Sequence, residues 1–172
     1  MLMTTNTLWT PVVSENLAAL AEVSDGDTQL LVDLQPIAAS VAPAFQSAIF
    51  SRLMQNLLYV SPIEYELGKA ALERWFVHLF RDAKALNALS PHNDHALTTR
   101  APHLHRKSGI PFRYMLSLQE VILKYGKRVT QNSYDPERAF SAFQKILGLE
   151  FAFNQVYEEL YVSHLSELML DD

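Results

Sequence analysis

Apolar residues recur along this chain at three- and four-residue spacings, and no stretch alternates polar and apolar long enough to read as a strand. Leu17, Leu20 and Ala21 predict a short helix, closed by turn chemistry at Ser24-Asp25-Gly26-Asp27. From Gln29 to about Leu57 the pattern is helical with a break near Pro36, and Phe50, Leu53, Met54 and Leu57 form an i, i+3, i+4, i+7 stripe expected to be buried. Ser61-Pro62-Ile63-Glu64 combines a capping box with proline at the first helical position, the strongest helix start in the sequence. The helix it opens aligns Gly68, Leu72, Trp75 and Leu79 and is expected to run to about Leu86.

A polar stretch, Ser90 to His95, leads into a segment with Leu97 and His105 that Pro102 must interrupt, since proline removes a donor and crowds the carbonyl four residues back. The next helix is expected from Pro111 to about Thr130, with Met115, Leu118, Ile122, Tyr125 and Val129 inward. Asp135-Pro136-Glu137 then caps a final long helix reaching about Leu168. In it Ile146, Leu149, Phe153, Val156 and Leu160 alternate spacings of three and four, the pattern of a helix-to-helix seam. The aromatic residues Phe140, Phe143, Phe151, Phe153, Tyr157 and Tyr161 exceed what one buried face is expected to absorb, which points to packing against a second copy as well. The prediction is one all-α domain of about seven helices spanning residues 1–172, with an irregular leader over 1–12.

The stretch Ala101 to Tyr114 is a tight corner between two helices. Gly109 falls where a helix would end in a left-handed turn and Pro111 where the next would begin. At 100° per residue from Leu97, Ala101, Leu104, His105 and Ser108 fall within about 100° of one another, while His103 points to roughly the opposite side. His105 is therefore expected inward and His103 outward.

The spacing His105-x-x-x-Gly109-Ile110-Pro111 followed by Arg113-Tyr114 resembles the proximal-histidine corner of the sensor globins, the haem domains of globin-coupled sensors and protoglobins. Lys69-Ala-Ala-Leu-Glu-Arg-Trp75 with Leu79-Phe80 is similar to the family's distal-side helix, and Ile49-Phe50-Ser-Arg-Leu53-Met54 to the helix before it. The resemblance covers roughly residues 36 to 165. It implies a globin-like fold and haem b, with His105 as the fifth iron ligand. Phe50, Gly68, Leu72, Trp75, Leu104, Met115 and Leu118 would line the haem, Gly68 and Leu72 on its distal side and Met115 and Leu118 beneath its proximal face. Phe50 stands where the family's distal tyrosine would fall, and phenylalanine cannot donate the hydrogen bond that the tyrosine gives to bound oxygen.

The other histidines have simpler expected roles. His92 and His95 lie in a polar loop, and His78 and His164 sit among aromatics on long helices as packing residues. A zinc site from His92, His95, His103 and His105 matches no compact metal motif. The absence of cysteine excludes disulfides, thiolate nucleophiles and iron–sulfur clusters. A net charge of −5 argues against a general nucleic-acid surface. No signal peptide and no bilayer-length apolar run is present, so the expectation is a cytoplasmic protein without membrane insertion. No phosphate loop, nucleophile elbow or His-Glu-x-x-His motif occurs, so no enzyme is expected.

Two leading functions stay open, beside a third, oxygen or nitric-oxide chemistry by a haem globin. One is a haem sensor of a diatomic gas (oxygen, nitric oxide or carbon monoxide) that signals through a homodimer interface of its last two helices to an output such as a diguanylate cyclase or a chemotaxis-type transducer. The other is a haem-free globin-fold module that regulates a partner through helix packing. The chain ends at Asp172 with no output domain, as expected for an excised sensor or a stand-alone globin.

Overall fold

The computed structural model describes residues 21–56, 62–87 and 112–170, with side chains described over 21–56, 65–86 and 114–155. These residues form seven helices and no strand: α1 (Asp25–Asp33), α2 (Gln35–Asn56), α3 (Pro62–Arg81), α4 (Ala83–Asn87), α5 (Phe112–Ser117), α6 (Gln119–Thr130) and α7 (Pro136–Leu170). The all-α prediction holds, and α7 is the long C-terminal helix the sequence predicted. None of the described helices is long and apolar enough to cross a membrane.

Ser24 to Asp27 opens a helix rather than closing one. The Ser24 hydroxyl accepts from the Asp27 N–H at 3.2 Å, and the Asp27 carboxylate accepts from the Ser24 N–H at 3.0 Å, a reciprocal capping box. The reversal predicted there sits upstream at Glu22, whose φ of 49° is left-handed. Arg138 of α7 donates to Asp27 at 2.7 Å, fastening the start of α1 to the start of α7.

Two predicted long helices are each divided once. The segment expected to continue to Leu86 breaks between Arg81 and Ala83, giving α3 and α4. The helix expected from Pro111 to Thr130 breaks at Leu118, whose N–H is shared between the carbonyls of Tyr114 (2.9 Å) and Met115 (3.2 Å), a one-residue tightening of the turn. α7 begins where Asp135 accepts from the Arg138 N–H at 3.2 Å, as the Asp-Pro-Glu sequence requires.

The largest interface among the described helices joins α2 to α3. α6 packs across α2, while α7 packs on α6, α1, α4 and α3, a globin-like arrangement in which successive long helices enclose one apolar core. A chain of aromatic rings runs through it. Tyr125 of α6 meets Phe45 of α2 at 5.9 Å, Phe45 stacks on Phe76 of α3 at 4.4 Å, and Phe80 of α3 stacks on Phe143 of α7 at 5.1 Å. Each fully buried phenylalanine contributes on the order of 1.5–3 kcal/mol by leaving water.

α3 is wedged between α2 and α7, and its buried arc is wide for that reason. At 100° per residue it extends roughly 200° from His78 through Trp75, Gly68, Leu79, Leu72 and Phe76 to Phe80. The stripe predicted on α2 is narrower than expected: Phe50 and Leu53 are buried, but Met54 is 48% exposed. The aromatic surplus predicted on α7 is absorbed within one chain as far as its side chains are described. Phe143, Phe151 and Phe153 are buried and Phe140 is half-buried, because α7 touches five other helices rather than one.

Candidate functional site

His105, the predicted iron ligand, and Leu104 lie outside the described residues, as do His92, His95 and His103; the side chain of His164 also lies outside them. His105 precedes Phe112, the first residue of α5, by seven positions in the sequence.

Phe50 of α2, Leu72 of α3 and Met115 of α5 belong to one apolar cluster, with Leu118 packed against it half-buried. Gly68 is buried one turn before Leu72 on the same side of α3. Phe50 presents its face or edge to Tyr65 of α3 at 4.8 Å and 78°, the perpendicular geometry that aromatic quadrupoles favour. Its edge contact with α3 explains why the position is aromatic.

Trp75 is buried in the same apolar core. Its indole N–H donates to Oε1 of Glu150 on α7 at 3.0 Å, and its ring stacks on Phe151 at 6.4 Å and 9°. It anchors α3 to α7.

Around Glu150 the structure assembles polar groups whose connection the sequence did not announce. Glu150 is fully buried. Asn154, one turn on, donates its side-chain amide to the Glu150 carbonyl at 2.8 Å and to Oε1 at 3.2 Å. His78, 6% exposed, sets Nε2 4.0 Å from Glu150 Oε2 and Nδ1 2.7 Å from Asp82 Oδ2. Arg81 donates to both carboxylate oxygens of Asp82, at 2.6 to 3.1 Å. Burial alone would push the Asp82 carboxyl up, but the hydrogen bonds from Arg81 and His78, with the charge on Arg81, outweigh it and hold the group below the usual carboxylate range. His78 is thus more than the packing residue the sequence suggested: it is the middle member of a line from Arg81 at the surface to Glu150 in the core.

Glu150 had a signal. Phe143, Leu147, Glu150 and Asn154 alternate spacings of four, three and four, so they share a seam, and Glu150 sits near the centre of the buried arc of α7. The seam drawn through Ile146, Leu149 and Phe153 is one edge of that arc.

Among the described residues no group of three or more His, Asp or Glu side chains is disposed to hold a metal ion. A cleft of about 270 Å³ opens between α2 and α6, lined by Ala48, Ser51, Arg52, Glu120, Lys124 and Tyr125 among others; none of the predicted lining residues contributes to it. No protein-family model matches the chain, and no curated protein matches it.

Proposed function

We propose that this chain is a haem-binding sensor domain of globin type, with His105 holding the iron from the proximal side. The observation that carries the proposal is the burial of Phe50, Leu72 and Met115, from three helices, in the apolar core, with the resemblance at His105 to Tyr114 leading directly into the helix that bears Met115. The donor set suits the group: a neutral imidazole for the iron and apolar walls for the flat macrocycle. Haem, when bound, would supply the centre for a diatomic gas. The chain's own residues would exclude water through Phe50, Leu72 and Met115, orient the imidazole through Ser108 and neighbouring carbonyls, and leave the distal side without a hydroxyl at Phe50. Movement at His105 would pass through the Gly109 to Pro111 corner into α5 and from there to α7, where a homodimer seam would relay it to a partner such as a diguanylate cyclase or transducer.

A second reading is a haem-free globin-fold regulatory module. It is favoured by the closure of the same core by polypeptide alone, with Phe50 at 3%, Leu72 at 2% and Met115 at 0% exposure. The absorption spectrum of the protein titrated with haemin separates the two. A Soret band with one-to-one stoichiometry, lost in His105→Ala, supports the sensor; no band at saturating haemin leaves the haem-free module.

A further inference from the structure

The buried line from Arg81 to Glu150 is not used by either reading above, and it joins the two helices with the most to communicate. We propose that His78, Asp82 and Glu150 form a proton-operated latch between α3 and α7, open when the imidazole is neutral and closed when its Nε2 takes a proton from solvent.

The geometry gives each nitrogen a different part. Asp82 is already gripped by Arg81, so its carboxylate accepts from the ring at 2.7 Å and keeps the ring proton on Nδ1. This tautomer follows from the hydrogen-bond network. In the neutral ring Nε2 then carries a lone pair, aimed at a carboxylate, with no hydrogen-bond partner among the described residues. A lone pair facing an anion attracts nothing, and the 4.0 Å separation from Glu150 Oε2 is beyond hydrogen-bond length. One proton added to Nε2 creates an N–H and a positive charge in a water-poor site. An approach of about 1 Å then makes a charge-assisted hydrogen bond, which lies near 2.7–2.9 Å. The proton comes from bulk water, and apart from the new Nε2–H no covalent bond is made or broken.

Of the charged groups on the packed helices, Asp27 of α1 pairs with Arg138, Asp33 accepts from Gln29, and Lys84 of α4 donates to Gln29. Asp82 and Glu150 are the carboxylates within 4.0 Å of the ring nitrogens among the described residues, and Arg81 is paired with Asp82. Closing draws Glu150 toward α3, and the same carboxylate holds the Trp75 indole N–H through its other oxygen. A shift at Glu150 is carried along α7, which continues to Leu170. The latch does not depend on haem.

The indole N–H of Trp75 is the reporter. The chain has two tryptophans, Trp9 and Trp75, so the full-length protein labelled with nitrogen-15 gives two indole signals, assigned by Trp9→Phe. In a pH titration of the folded protein, the Trp75 signal is expected to move in one step by many line widths. His78→Asn, which keeps a donor toward Asp82 but cannot titrate, is expected to abolish the step. Glu150→Gln is expected to shrink it several-fold. Absence of a step in the wild type, or a step of undiminished size in either variant, overturns the proposal. If circular dichroism shows His78→Asn to be unfolded, Glu150→Gln decides alone.

Discussion

The indole N–H of Trp75 and the carboxylate of Glu150, 75 residues apart in sequence, meet at 3.0 Å inside the protein and tie α3 to α7. A fully buried carboxylate is costly unless donors surround it, so the indole is valuable less for its own hydrogen bond than for what its loss would expose. Asn154 is the second donor to the same oxygen, which makes the junction a network rather than a pair.

Trp75→Phe is expected to destabilise the protein by about 2–4 kcal/mol, since it removes the donor and part of the ring packing on Phe151. Trp75→Phe combined with Glu150→Leu should cost less than the sum of the two single changes, because removing both partners leaves no stranded charge. Urea unfolding of the four proteins measures this. Strict additivity would mean that the two residues are not coupled.

Much of this fold could be read in advance. The Ser-Pro-Ile-Glu and Asp-Pro-Glu starts mark α3 and α7 because caps act locally, within one turn of chain. The breaks at Asp82 and Leu118 were not legible, since neither carries a proline or glycine and both depend on packing. Ser24 to Asp27 was read the wrong way round because the same residue types serve turns and N-caps; the reciprocal bonds decide it. At the site, the apolar positions Phe50, Leu72 and Met115 followed from periodicity. The spacing puts Glu150 on the same seam as Phe143, Leu147 and Asn154, but its role was not legible, because a carboxylate surrounded by apolar residues looks like a solvated interruption until its partners arrive from another helix.

Gly126 of α6 faces the ring of Phe143 so closely that a Cβ there would overlap it. Phe143 is fully buried and stacked on Phe80, so it has nowhere to retreat. Alanine ordinarily improves a helix by about 1 kcal/mol over glycine. Here overpacking outweighs the gain, and Gly126→Ala is expected to lower stability by roughly 1–3 kcal/mol. Adding Phe143→Leu should recover part of the loss in thermal unfolding; a stabilised Gly126→Ala would show that α6 and α7 can part freely.

Phe45 touches Trp75, Phe76 and Tyr125, linking α2 to both α3 and α6 at the centre of the core. Phe45→Ala is expected to cost about 3–5 kcal/mol, the range for emptying a buried aromatic site. Phe45→Leu should cost clearly less, since it keeps most of the apolar volume. Equal losses from the two, in chemical unfolding, would mean that the stacked geometry matters more than the filled space.

Acid should loosen the tie between α1 and α7 in a way that one substitution can reveal. Burial by itself raises the Asp27 carboxyl, but the Ser24 N–H, the Arg138 guanidinium and the Ser24 hydroxyl together hold it below the usual carboxylate range. A carboxyl lowered in the folded state binds its proton more readily when unfolded, so it contributes stability above its ordinary value and loses that contribution as pH falls through the folded one. Asp27→Asn is therefore expected to melt below the wild type at neutral pH, with the gap narrowing from about pH 5 downward as the wild-type carboxyl becomes protonated. Melting temperatures of both proteins across that range test it. A gap that stays constant would place the effect of Asp27 in its shape rather than its charge, and the link to Arg138 would then contribute nothing that acid can remove.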